Sequence, residues 1–219
     1  MTQSFTLPFP PADSNKVCYL ILPQGVTHDL EEGLCALSKS HSMSMVLIDQ
    51  VNWNDDLTPW PAPGVFKKAK PFGGKASQFL ETLTRQIIPE AETSLRIQNA
   101  ERTLLGVSLS GLFALWSGFN TDLFANIVSI SGSLWYDGFT EWLADTHPSP
   151  QLKKTVLLLG DKEKNSKEKR MATVEDRTIE AVNILKKKGQ GEVCFELVEG
   201  THFSPIMPRL ERAFSLMKP

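Results

Sequence analysis

Gly106-Val107-Ser108-Leu109-Ser110-Gly111 decides how this chain is read. It follows the apolar run Thr103-Leu104-Leu105 and precedes Leu112-Phe113-Ala114-Leu115-Trp116, which patterns as a helix. A strand, a sharp turn carrying a serine and then a helix lift a hydroxyl nucleophile above a sheet. The neighbours of such a serine are small because its backbone is strained, and a side chain on either one would clash where strand meets helix. The usual spacing is Gly-x-Ser-x-Gly. Here the fifth position is Ser110, with Gly111 directly after it. Alone, the hexapeptide also reads as an ordinary strand-to-helix turn with Ser108 or Ser110 as N-cap, so the rest of the chain has to decide.

The chain has 219 residues, enough for one domain with a substantial core. Its 41% hydrophobic and 22% charged residues fit a soluble globular protein. A net charge of −2 supplies no field that would favour nucleic acid or an anionic membrane. No apolar stretch approaches the roughly 20 residues of a membrane span. The amino terminus lacks the basic and apolar regions of a secretory signal. Cys18, Cys35 and Cys194 are widely spaced and odd in number, as expected of buried thiols in a reducing cytoplasm. Neither a Cys-x-x-Cys pair nor zinc-type His/Cys spacing is present, so no metal and no cofactor are expected. The expected partner is a small molecule, with the oligomeric state left open.

Residues 1–16, with Pro8, Pro10 and Pro11, read as an arm or short edge element. Residues 17–219 read as one domain of alternating strands and helices. Strands are expected at Val17–Leu22, Met43–Val51, Thr103–Leu105, Ile127–Ile130, Thr155–Leu159 and Val193–Val198. Helical spacing runs over Asp29–Ser38, Gln78–Leu95, Val174–Lys188 and Pro208–Met217, with Pro89 expected to end or kink the second. A loop rich in Trp, Pro and Asp covers Asn52–Gly74. This alternation implies an α/β fold with a mostly parallel sheet of about six strands and helices on both faces. In such sheets, ligands bind at the carboxyl ends of the strands. Ser108, the pair Asp161 and Glu163, and His202 each fall just after a strand. Their order is nucleophile, acid, histidine.

These residues resemble the esterase group of α/β-hydrolases, which includes enterochelin esterases and other catecholate-siderophore hydrolases, S-formylglutathione hydrolase and mycobacterial mycolyl-transferases. The resemblance covers roughly residues 17–217. It rests on Asp56-Leu57-Thr58-Pro59-Trp60, Phe72-Gly73-Gly74, Ile87-Ile88-Pro89, the Ser108 turn, Ser131-Gly132-Ser133-Leu134-Trp135 and Gly200-Thr201-His202-Phe203. The chain looks closest to stand-alone siderophore-esterase-like hydrolases. By that likeness, one or two antiparallel strands are expected to be missing from its N-terminal edge.

The resemblance implies a serine hydrolase acting on a carboxylic ester through an acyl-enzyme. Ser108 is the candidate nucleophile and His202 its base. The family's Gly-x-x-acid pattern favours Glu163 as the orienting acid over Asp161, and a Ser-His pair alone is a further possibility. Against both acids stands the charge run Asp161–Arg170, which by itself reads as a solvated loop. The oxyanion donors are expected at the N–H of Leu109 and, by likeness to the family's Asp-Gly-x turn, of Val26 in Gln24-Gly25-Val26. Trp53, Trp135 and Tyr136 are candidate pocket residues, although aromatic side chains more often pack a core. Two rival readings remain: an inactive binding scaffold, and a phosphate cradle at Gly106–Gly111. The second lacks the lysine of a P-loop.

Overall fold

The computed structural model describes residues 5–6, 14–23, 27–66 and 68–218. In chain order the elements are β1 (Phe5–Thr6), β2 (Lys16–Ile21), α1 (His28–His41), β3 (Ser44–Ile48), α2 (Trp53–Asp56), β4 (Pro61–Ala62), β5 (Phe72–Gly73), α3 (Ala76–Thr82), α4 (Ile88–Leu95), β6 (Glu101–Val107), α5 (Leu109–Ser117), β7 (Asn126–Ile130), α6 (Phe139–Asp145), β8 (Lys154–Gly160), α7 (Lys169–Ala172), α8 (Val174–Lys188), β9 (Glu192–Val198) and α9 (Ile206–Leu216). The main sheet has the order β1-β3-β2-β6-β7-β8-β9. Every neighbouring pair in it is parallel except β1 with β3. The fold is the α/β-hydrolase arrangement, and among the described residues the antiparallel edge strand β1 is two residues long.

The apolar runs of the strands follow from burial on both sheet faces. In β2, Val17, Tyr19 and Ile21 join one core cluster with α3, α4, α5, α6 and α8. Cys18 and Leu20 join the other, beneath α1 and α9. Helix α5 is buried along its whole length, which explains its apolar sequence without a polar face.

Three expectations are corrected. The second strand is Ser44–Ile48, shorter than Met43–Val51, because its pairing with β2 and β1 ends there and Asp49 and Gln50 are exposed. The loop Asn52–Gly74 holds α2 and the β4–β5 hairpin. Thr58 organises it, donating from Oγ1 to Asn54 O (2.8 Å) and accepting from Gly74 N–H (3.0 Å). Pro89 does not end its helix. A π turn over Leu83–Ile87 shifts the hydrogen-bond register and leaves Pro89 in the first turn of α4, where a missing N–H breaks no bond.

Candidate active site

Ser108 sits between β6 and α5 with φ 63° and ψ −122°, a conformation that L-residues adopt only under tight constraint. The constraint comes from its surroundings. A Cβ on Gly106 would lie 2.0 Å from Ser110 O, and one on Gly111 would lie 2.9 Å from Ser129 Oγ. The N–H of Ser108 donates to Ile130 O, and its own carbonyl accepts from Leu112 and Ser133 N–H. Ser110, where glycine is usual, is fully buried and bonded. Its Oγ accepts from Val107 N–H (2.7 Å) and donates to Ile21 O (2.6 Å). It therefore fastens the turn to the carboxyl end of β2.

The structure brings Ser108, His202 and Glu163 into one chain. Ser108 Oγ is 3.1 Å from His202 Nε2, and His202 Nδ1 is 2.7 Å from Glu163 Oε2. Glu163 stands in a short 3₁₀ turn, Glu163–Asn165, and is buried. Its Oε1 accepts from Ser131 Oγ (2.6 Å) and Gly160 N–H (2.9 Å). Burial pushes the carboxyl's pKa up. Hydrogen bonds from His202 and Ser131, the nearby His202 charge and the Gly160 N–H outweigh that, so it lies below the ordinary value near 4.5. The charge run is therefore not a plain solvated loop: it folds into this turn and α7 because the carboxylate finds its donors inside. Asp161 serves elsewhere, accepting Gly200 N–H on Oδ1 (2.9 Å) and closing the ends of β8 and β9.

Leu109 is the first residue of α5, so its N–H has no acceptor within the helix. Val26, the other expected oxyanion donor, lies outside the described residues, as do Gln24 and Gly25. A cleft of about 320 Å³ opens beside His202, lined by Trp135, Met171, Val174, Phe203 and Lys162 among others. Arg170 lies over the Trp135 ring (5.3 Å) and donates to Pro63 O (3.0 Å), which holds that wall in place. Tyr136 turns the other way. Its hydroxyl donates to Trp60 O, and its ring packs against Phe72. Trp53 opens α2 and packs half-buried against the core.

Two residues escaped the sequence reading as site residues. Ser131 has φ 50°, and its hydroxyl bridges Glu163 and Arg209. Arg209 is buried on α9. The available signal was a charge inside the apolar stripe Ile206, Leu210, Ala213, Phe214.

A family model described as "Putative esterase" matches residues 11–202. The chain belongs to this esterase family. Among curated proteins, the "Uncharacterized protein YbbA" of Bacillus subtilis (strain 168) is 27% identical over 161 residues, 71% of this chain and 64% of that protein. The chain thus spans less than two thirds of that relative. An IroE-like serine hydrolase from Shewanella oneidensis superposes with a TM-score of 0.77 at 22% identity, covering 97% of this chain and 74% of the other. The siderophore hydrolase EstB from Aspergillus nidulans gives 0.73 at 21%, covering 97% and 86%. At these identities the likeness establishes the fold.

Proposed function

We propose that this protein is a serine hydrolase that cleaves a carboxylic ester through an acyl-enzyme, within a hydrolase domain spanning 17–219 that follows an N-terminal arm. The observation that carries the proposal is the unbroken path from Ser108 Oγ through His202 to the buried Glu163 carboxylate. A serine hydroxyl is too weakly acidic to attack an ester unaided. With Nδ1–H held by Glu163, Nε2 carries the free lone pair and takes the Ser108 proton as Oγ attacks the carbonyl carbon. The negative charge on the carbonyl oxygen falls to the Leu109 N–H, at the start of α5, and to Val26 N–H. His202 hands its proton to the departing alcohol, and water attacks the acyl-serine by the same route in reverse. Glu163 stays ionised and steadies the imidazolium.

Membership of an esterase family supports this chemistry, as do the serine and siderophore hydrolases that share the fold. The cleft beside His202, with Trp135, Met171 and Val174 on its wall, suits an apolar portion of a small ester. Cys18, Cys35 and Cys194 are free thiols, which supports a reducing, cytoplasmic setting. Among the described residues no helix is long and apolar enough to cross a membrane.

The test is hydrolysis of p-nitrophenyl esters of graded acyl length by wild type, Ser108→Ala and His202→Ala, with fluorophosphonate labelling in parallel. Wild-type turnover that each substitution lowers by about a thousandfold or more supports the proposal. A wild-type serine that neither hydrolyses esters nor takes the label overturns it.

A further inference from the structure

The esterase reading leaves one buried cation without a role. Arg209 is only 4% exposed, in a helix face otherwise made of Leu210, Ala213 and Phe214. Burying a guanidinium costs several kcal/mol before its partners repay it, and an apolar side chain of like volume is often as stable or more so. Among the described residues its Nε is buried with no hydrogen-bond partner, a further cost. Packing and stability therefore do not account for a charge at this position.

Its contacts converge on the site. Nη1 donates to Ser131 Oγ (2.7 Å) and lies 3.6 Å from Glu163 Oε1. Nη2 donates to Thr201 O, the carbonyl just before His202. We propose that Arg209, acting with Ser131, is a positioning residue that seats the acid and the base of the hydrolase on one rigid cation. The proposal rests on the reading of Ser108, His202 and Glu163 given above.

Three consequences follow from the geometry. A guanidinium can only donate, so Arg209 occupies a lone pair of Ser131 Oγ and commits that hydroxyl's single proton to Glu163. Because the same planar group holds Thr201 O, the histidine's loop cannot drift from the carboxylate. A lysine offers a point charge and cannot span both contacts in this way. Lastly, the positive charge faces the carboxylate oxygen turned away from His202. It favours the ionised form of Glu163 and opposes uptake of a further proton at the site. Other charges nearby are engaged or exposed. Asp161 holds Gly200 N–H, Lys162 lies 3.8 Å from the exposed Glu199, and Arg212 pairs with Glu196 on the outer side of α9. From α1, Gly33 meets the apolar Met207.

The experiment measures kcat and KM against pH, fluorophosphonate labelling rate and Tm for Arg209→Met, Arg209→Lys, Ser131→Ala and a control, Leu210→Ala, from the same helix. For Arg209→Met and Ser131→Ala, kcat should fall by about tenfold to a hundredfold with little change in KM, the size seen when supporting partners of a site are removed. The acid limb of kcat/KM should move to higher pH, by roughly one unit in Arg209→Met and by less in Ser131→Ala. Arg209→Lys should restore the limb but only part of kcat. Leu210→Ala should lower Tm and leave the profile in place. If Arg209→Met does not fold, Ser131→Ala and Arg209→Lys decide. A wild-type limb in folded Arg209→Met or Ser131→Ala, or the same displacement in Leu210→Ala, overturns the proposal while leaving the esterase reading intact. Failure of that reading shows earlier and separately, as a wild-type protein inert to esters and to the label.

Discussion

Replacing Glu163 by glutamine changes one atom and should nearly abolish turnover. Oε1 of Glu163 faces three donors: Gly160 N–H, Ser131 Oγ and Arg209. Two of them, the backbone N–H and the guanidinium, can never accept. The glutamine must therefore place its carbonyl oxygen there, which turns its NH₂ toward His202 Nδ1. Nδ1 then has to accept, so the ring proton moves to Nε2. That nitrogen, 3.1 Å from Ser108 Oγ, can no longer take the serine's proton. An orienting acid replaced by its amide in this way costs about 10⁴ in kcat. At about 1.36 kcal/mol per decade this is about 5.5 kcal/mol of lost transition-state stabilisation. The assay is p-nitrophenyl ester turnover together with the second-order rate of fluorophosphonate labelling, with Tm as a check on folding. A folded Glu163→Gln protein within about tenfold of wild type in both rates would refute the reasoning, and Ser108 and His202 would then work as a pair.

Other substitutions test the scaffold beneath the site. Gly106→Ala puts a methyl group 2.0 Å from Ser110 O, and should cost more than about 4 kcal/mol, read as loss of soluble protein or of the unfolding transition. Ser110→Gly restores the commoner spacing yet strands Val107 N–H and Ile21 O; a loss of about 2 kcal/mol should lower Tm by roughly 4–8 °C. The Glu163 carboxyl is held below its usual value on folding, so its contribution is complete above the unfolded value near 4.5 and fades as pH falls through the folded one. Urea unfolding of wild type and Glu163→Gln should accordingly differ at pH 7 and converge in strong acid; a gap that persists there would count against the assignment.

The alternation of apolar strands and helices was legible because both sheet faces are covered, so buried strands read as unbroken runs. The same logic placed Ser108, His202 and Glu163 at strand ends. Short elements were not legible. The hairpin of β4 and β5 has two-residue strands held by Thr58, and no periodicity can show that. Pro89 was expected to end or kink its helix because its neighbours in sequence do not reveal a π turn. Tyr136 and Trp135 look equivalent in the sequence, but a buried phenol must find an acceptor, and the nearest is Trp60 O, away from the cleft. Arg209 was missed because its partners lie far off in sequence, Ser131 by 78 positions.

The sheet order has a consequence for the growing polypeptide. Ser108 precedes His202 by 94 residues, and β9, which leads to the histidine, is an edge strand that among the described residues pairs only with β8. As the chain leaves the ribosome, the Ser108 turn can take shape long before His202, its proposed base, has emerged. Contacts this distant in sequence form late and slowly. On the proposed mechanism Ser108 therefore stays inert until β9 and α9 have docked.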